Sequence, residues 1–175
     1  MPELVNFQII EQPEIIVVGK SIHLYTDGTK AEMTPPELWA RCFADGTLAT
    51  LEALADFIHN PAYVGYMDTN NGAWKGGEGR YICGMMMKPG VSVPDGFAAQ
   101  TLKPAKVAVG WIKGKKNNEA AIYANAHDFT EKAILEKGLK PWGGHDWCME
   151  VYTCPRFTTP DENGDIIVDY WIPCA

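Results

Sequence analysis

Serine is nearly absent from this chain of 175 residues: only Ser21 and Ser92 occur, and neither lies in a Gly-x-Ser-x-Gly setting, which excludes the usual serine-hydrolase arrangement. No basic face is apparent either. The net charge is −7, and the longest basic run, Lys113-Gly114-Lys115-Lys116, reads as a solvated turn, so phosphate neutralisation along a nucleic acid is not expected. No apolar stretch approaches a membrane span, and the start, Met-Pro-Glu-Leu-Val, has neither a basic n-region nor an apolar h-region, so a cytoplasmic protein without membrane partners is expected. The 5 cysteines (Cys42, Cys83, Cys148, Cys154, Cys174) are odd in number and have no framework spacing, which fits a reducing compartment. His145-x-x-Cys148 with Cys154 lacks a fourth ligand at structural-zinc spacing, and Gly76-Gly77-Glu78-Gly79 has no following Lys-Ser/Thr, so neither a metal nor a cofactor is expected. His127-Asp128 reads as a surface pair, because adjacent helical residues point about 100° apart.

What the chain does have is internal repetition. Phe7 begins a strand-like stretch that ends in Pro13-Glu14-Ile15-Ile16-Val17-Val18-Gly19, and Phe97 begins another that ends in Pro104-Ala105-Lys106-Val107-Ala108-Val109-Gly110. The two share a Pro-x5-Gly spacing, which aligns Lys20 of the first copy with Trp111 of the second. A hydrophobic share of 46% with 11% aromatic residues describes a globular chain. Repeats of roughly 80 to 90 residues would be marginal apart, so a single domain over residues 1–175 is expected, with pseudo-repeats at about 1–90 and 96–175.

Strands are expected at residues 5–12, 14–24, 63–67, 81–87, 97–102, 105–113, 147–153 and 166–172. Thr34-Pro35-Pro36-Glu37 reads as a helix start with capping-box spacing, and Leu38, Trp39, Cys42 and Phe43 form its apolar face. Residues 48–58 suggest a short second helix, and 117–137 a long one with Ile122, Ala126, Phe129 and Ala133 as its stripe. Residues 68–79, rich in glycine and asparagine, read as a loop, and Pro160-Asp161-Glu162-Asn163-Gly164 as a hairpin connection. The order strand-strand-helix-strand-strand, taken twice, predicts an α+β fold: pseudo-duplicated β-β-α-β-β units in largely antiparallel sheet, helices packed against it, and a central ligand cleft.

Among candidate functional residues, Glu150 is the only carboxylate in a strand that looks buried. Alternation puts Cys148, Glu150 and Tyr152 on one face and Trp147, Met149 and Val151 on the other. A carboxylate on such a face is costly to desolvate unless it is paired or protonated. The 6 Trp and 7 Tyr exceed what a minimal core needs, and Trp39, Tyr66, Trp74, Tyr81, Trp111, Tyr123, Trp142, Trp147 and Tyr152 are candidates for stacking on a flat ligand. Met85-Met86-Met87 offers an adaptable wall, with Met86 on the face opposite to its neighbours.

These residues meet in a known pattern. Leu38-Trp39 with Asp45-Gly46, Tyr63-Val64-Gly65-Tyr66, Arg80-Tyr81-Ile82-Cys83-Gly84, Val93-Pro94-Asp95-Gly96-Phe97, Val107-Ala108-Val109 with Gly114, Met149-Glu150-Val151-Tyr152 and Tyr170-Trp171-Ile172-Pro173 follow one another in the order of a family. The chain resembles the GyrI-like small-molecule-binding domain, the effector-binding domain of AraC-type and multidrug-sensing bacterial transcription activators. No helix-turn-helix region accompanies it, so a standalone member is expected. The resemblance implies that Glu150 is the pocket glutamate, facing aromatic or cationic ligands, with Trp39, Tyr66, Met86, Trp111, Tyr123 and Tyr152 as further ligand-binding residues. The expected partner is a hydrophobic or aromatic small molecule, and the reading allows a homodimer. A second reading makes the chain a hydrolase. Some standalone members open cyclopropane-containing, DNA-alkylating compounds, which would give Glu150 the role of general base and Tyr123 that of positioning water. A third reading is a protein-interaction module of the gyrase-inhibitor type, which the even spread of the 22 acidic residues disfavours.

Overall fold

A computed structural model describes residues 1–25, 32–69 and 78–175. The strands are β1 (Glu3–Gln12), β2 (Ile15–Tyr25), β3 (Ile58–Asp68), β4 (Glu78–Met87), β5 (Ala98–Leu102), β6 (Ala105–Lys115), β7 (Trp147–Tyr152) and β8 (Asp165–Pro173), and the helices are α1 (Pro35–Ala44), α2 (Thr47–Glu52) and α3 (Glu119–Glu136). All described strand pairs are antiparallel, and the α+β pattern read from the sequence holds. Among the described residues no helix is long and apolar enough to cross a membrane.

The chain divides into two compact units, one of Met1–Gln12 with Ala105–Ala175 and one of Pro13–Pro104. The breaks fall at the two repeated prolines, which lack the N–H that would carry a strand ladder onward. The units therefore do not coincide with the copies read along the sequence. β1 pairs with β6, whereas β5 pairs with β2, so each copy's first strand is laid on the second strand of the other copy.

In the first unit the strands lie in the order β1-β6-β8-β7, with α3 over β6, β8 and β1. α3 buries Ile122, Ala126, Thr130, Ala133 and Ile134, while Phe129 is only half-buried. The step of four from Ala126 reaches Thr130, whose hydroxyl is satisfied at 2.8 Å by the Ala126 carbonyl, so a threonine occupies the place expected for Phe129. The helix comes close at Gly110: a Cβ there would lie 2.5 Å from Thr130 Oγ1 and 3.1 Å from Leu4 Cδ1.

In the second unit the order is β3-β4-β2-β5, with α1 and α2 against β2 and β4. Glu37 accepts from the Thr34 backbone N–H at 2.7 Å and its hydroxyl at 3.0 Å, and Pro35 and Pro36 occupy the first turn. The segment expected to be helical over 48–58 instead splits into α2 and a single 3-10 turn, Ala55–Phe57, and β3 begins at once. Val18, Leu38, Cys42, Leu51, Tyr81, Cys83, Met85 and Met87 form the core beneath the helices. β3 and β4 extend into the ends of the expected 68–79 loop, of which residues 70–77, with Trp74, Gly76 and Gly77, lie outside the described residues.

Substituting Gly110→Ala is expected to destabilise the protein by about 1–3 kcal/mol, because the new methyl group overpacks against α3. Adding Thr130→Ala should return part of that loss. A double-mutant cycle in urea checks it, and strictly additive effects would mean that Gly110 is not limited by Thr130.

Candidate functional site

Register fixes the site in the first unit. Gly110 of β6 pairs with Tyr170 of β8, and Tyr170 pairs with Glu150 of β7, which places the three in one row across the sheet. Gly110 faces α3, and directly paired residues share a face, so Tyr170, Glu150 and, by alternation, Cys148 and Tyr152 also face the helix side. The expected grouping of Cys148, Glu150 and Tyr152 is thus the observed one. The Tyr152 hydroxyl donates to Glu150 Oε2 at 2.5 Å, and the Tyr152 ring lies 4.7 Å from that of Phe157.

Tyr170 is buried, and its hydroxyl donates to Cys148 Sγ at 3.2 Å and lies 3.3 Å from His127 Nδ1. The His127 ring meets Tyr170 edge-on at 5.6 Å and Trp142 at 5.5 Å. Trp142 has a left-handed backbone (φ 71), held by its N–H to the Pro173 carbonyl at 2.7 Å and by its own carbonyl to the His145 N–H at 2.8 Å. Such a conformation is costly for a non-glycine residue, and here it carries an aromatic ring to the flank of the site. His127, expected as one of a surface pair, is therefore half-buried and part of this cluster. Its i+4 spacing to Glu131 and the Pro141-Trp142 pair ahead of Gly143-Gly144 are the available signals.

Glu150 is half-buried, and desolvation raises its carboxyl from the ordinary 4.5 to about 7, although the Tyr152 hydrogen bond pulls the other way. Burial, with Cys148 next, pushes the Tyr170 phenol up as well, so it remains a hydrogen-bond donor. The row thus offers a carboxyl that changes charge near neutrality beside Tyr170, which keeps its proton, and within a hydrogen bond of the Tyr152 hydroxyl.

The remaining candidates lie elsewhere. Trp111 is on the face of the first unit opposite to Glu150: it pairs with Asp169, stacks under the Arg156 guanidinium at 4.1 Å, and has an indole N–H that is buried without a partner among the described residues. The Tyr123 hydroxyl donates to Glu119 of its own helix at 3.2 Å. In the second unit, Trp39 donates to the Tyr81 hydroxyl at 2.7 Å and packs near Phe43 and Tyr63. Tyr66 and Met86 are both buried on the face turned away from α1 and α2, and Tyr66 donates to Asp68 at 2.8 Å. Met85 and Met87 belong to the helix-side core, so the three methionines alternate as expected.

Lys20 and Trp111, aligned by the repeated proline, are not equivalent either. Lys20 pairs with Cys83 on the helix side of its unit, whereas Trp111 faces away from α3, and a one-residue offset between copies flips every side chain. Nor is Glu150 the only buried-looking strand carboxylate. Asp169 and Asp68 are both more buried, and each is neutralised: Asp169 by the Arg156 fork and the Thr153 hydroxyl at 2.9 Å, Asp68 by the Arg80 fork. What distinguishes Glu150 among the described residues is burial with a tyrosine and no arginine as its hydrogen-bond partner. The cysteines of the His145/Cys148/Cys154 set are apart in role, Cys148 receiving Tyr170 while Cys154 is exposed, and among the described residues no group of three or more His, Cys, Asp or Glu could hold a metal ion.

No family model matches this chain. No curated protein matches it either. Solved structures do share its fold. A protein of Staphylococcus aureus MU50 described under bacterial transcription regulation matches with a TM-score of 0.66 at 16% identity, over 97% of each chain. SAV2435 bound to tetraphenylphosphonium matches at 0.65 and 13% identity, over 98% of this chain and 94% of that one. The EcmrR C-terminal domain matches at 0.54 and 11% identity, over 97% of both.

The raised carboxyl of Glu150 has a stability consequence of definite sign. Between pH 4.5 and about 7 the folded state holds a proton that the unfolded state has released, so Glu150 lowers stability progressively across that window and no further above it. Glu150→Gln should therefore gain on the wild type by about 1–3 kcal/mol as pH rises from 4.5 to 7, with the difference constant above. Urea unfolding of both proteins at several pH values measures this, and a difference independent of pH would place the carboxyl in ordinary solvent.

Proposed function

We propose that this chain is a small-molecule-binding protein of the GyrI-like, effector-binding kind, which captures a hydrophobic or aromatic cation through Glu150 in drug sensing or sequestration. The carrying observation is a half-buried carboxyl that, among the described residues, has no cationic partner at hydrogen-bond distance, raised to about 7 and framed by the rings of Tyr152 and Tyr170. A bound cation supplies the charge that desolvation makes costly for the carboxylate to bear alone, and the aromatic rings add cation-π attraction. The neighbouring structure with tetraphenylphosphonium, a cation wrapped in four phenyl rings, supports the same ligand class. Trp39, Tyr66, Met86, Trp111 and Tyr123 are secondary to this reading; Tyr152 is central to it.

A hydrolytic reading has one observation in its favour. A carboxyl poised near 7 is matched to general-base work at neutral pH, and the hydroxyl already in place beside it is that of Tyr152. Glu150 would take a proton from water as the water oxygen attacks an electrophilic cyclopropane carbon, with the ring bond's electrons leaving to the conjugated system of the substrate.

Tetraphenylphosphonium titrated by calorimetry tests the binding reading. The cation binds the ionised carboxylate, so the association constant should rise about tenfold per pH unit below pH 7 and level off above it, whereas Glu150→Gln should bind weakly and without that slope. A wild-type affinity that is flat with pH and unaltered in Glu150→Gln would overturn the assignment. For the hydrolytic reading, a cyclopropane-bearing alkylator should gain one water by mass with the wild type and not with Glu150→Gln.

A further inference from the structure

The second unit carries an open concavity of 1120 Å³, slightly above the roughly 300–1,000 Å³ usual for small-molecule sites. Its wall includes Lys20 and Ile22 of β2, Leu38, Arg41 and Cys42 of α1, and Phe97 just before β5. Lys20 also begins the row that corresponds, strand for strand, to the one bearing Glu150. Lys20 of β2 pairs with Cys83 of β4, and Cys83 pairs with Gly65 of β3. Where the first unit has glycine on the first strand of the row and glutamate on the third, this unit has lysine on the first and glycine on the third. The charge has moved by two strands and changed sign.

Lys20 is half-buried, and its contacts are neutral. The ammonium donates to the Gly96 carbonyl at 3.2 Å and lies 4.3 Å from the centre of the Phe97 ring. Among the described residues no carboxylate stands within ion-pair distance of Lys20 or of the exposed Arg41. Among the described residues two carboxylates share the wall. Asp45 is engaged by the Thr47 backbone N–H at 3.0 Å and hydroxyl at 2.6 Å, and Glu32 is exposed, where water and salt screen it.

We propose that this concavity is a second binding site, for an apolar ring system carrying a single negative charge, with aryl carboxylates as the chemical class. The carboxylate takes the free hydrogens of the Lys20 ammonium and the Arg41 guanidinium, and the ring lies along Phe97, Ile22 and Leu38. A single charge suits the wall better than a phosphate ester, because two cations that already feel Asp45 do not neutralise a dianion. The two units of one fold would thus select ligands of opposite charge. This assignment is independent of the one made for Glu150.

Calorimetric titration with 2-naphthoate and with the cation of matching shape, 2-naphthylmethylammonium, tests it on the full chain. Naphthoate should bind the wild type at one site and lose about tenfold or more in affinity in Lys20→Met, which keeps the stem and removes the charge, with no change in Glu150→Gln. Arg41→Gln, at an exposed position, should weaken naphthoate as well and decides the matter if Lys20→Met does not fold by circular dichroism. Absence of naphthoate binding to the wild type, equal binding in the charge-removing variants, or a loss in Glu150→Gln equal to that in Lys20→Met would each overturn the proposal. Failure of the cation alone, with naphthoate behaving as described, would count against the Glu150 reading and leave this one standing.

Discussion

The row Gly110, Tyr170, Glu150 sets what the first unit can do. Each member depends on the one beside it: Gly110 has no side chain, so α3 can settle with Thr130 against β6, and with the helix at that height His127 meets the hydroxyl of Tyr170. Tyr170 in turn occupies the surface beside Glu150 and ties Cys148 into the same face. What is left for Glu150 is a place where its charge is poorly solvated and the nearest polar partner is a phenol.

Elsewhere the protein treats buried charge differently. Asp169 and Asp68 lie deeper than Glu150, yet each meets an arginine fork and a side-chain hydroxyl, so burial costs them little and they serve as fixed parts of the structure. Both lie on the faces turned away from the helices, whereas Glu150 and Lys20, which have no ion-pair partner among the described residues, lie on the helix sides. The contrast separates charges held by arginine forks from charges without such a partner among the described residues.

The duplication also shows how little sequence spacing constrains equivalence. Pro-x5-Gly recurs in both copies, and the breaks between compact units fall at those prolines, yet the paired ladders place Gly110 toward α3 and leave Lys20, one residue further on in its own copy, toward α1. A period of two makes a shift of one residue a change of face. The same rule, applied within a single strand, was sufficient to group Cys148 with Glu150 and Tyr152 and to set Met86 apart from Met85 and Met87.

By itself, then, the sequence determined the elements and their local chemistry: eight strands, the capping box at Thr34 and Glu37, the long α3, and the face of β7 that carries Glu150. These follow from backbone sterics, capping and periodicity, which act over a few residues. Tertiary structure alone decided which strands pair across the copies, that Tyr66 and Met86 are buried away from the helices while Trp111 stacks on Arg156, and that Tyr170, His127 and Trp142 gather beside Glu150. It also separated Asp68 and Asp169, each met by an arginine, from Glu150, which has none at hydrogen-bond distance among the described residues. Desolvation and pairing depend on what distant segments bring to the same place, and residues far apart in the chain carry no local mark of that meeting.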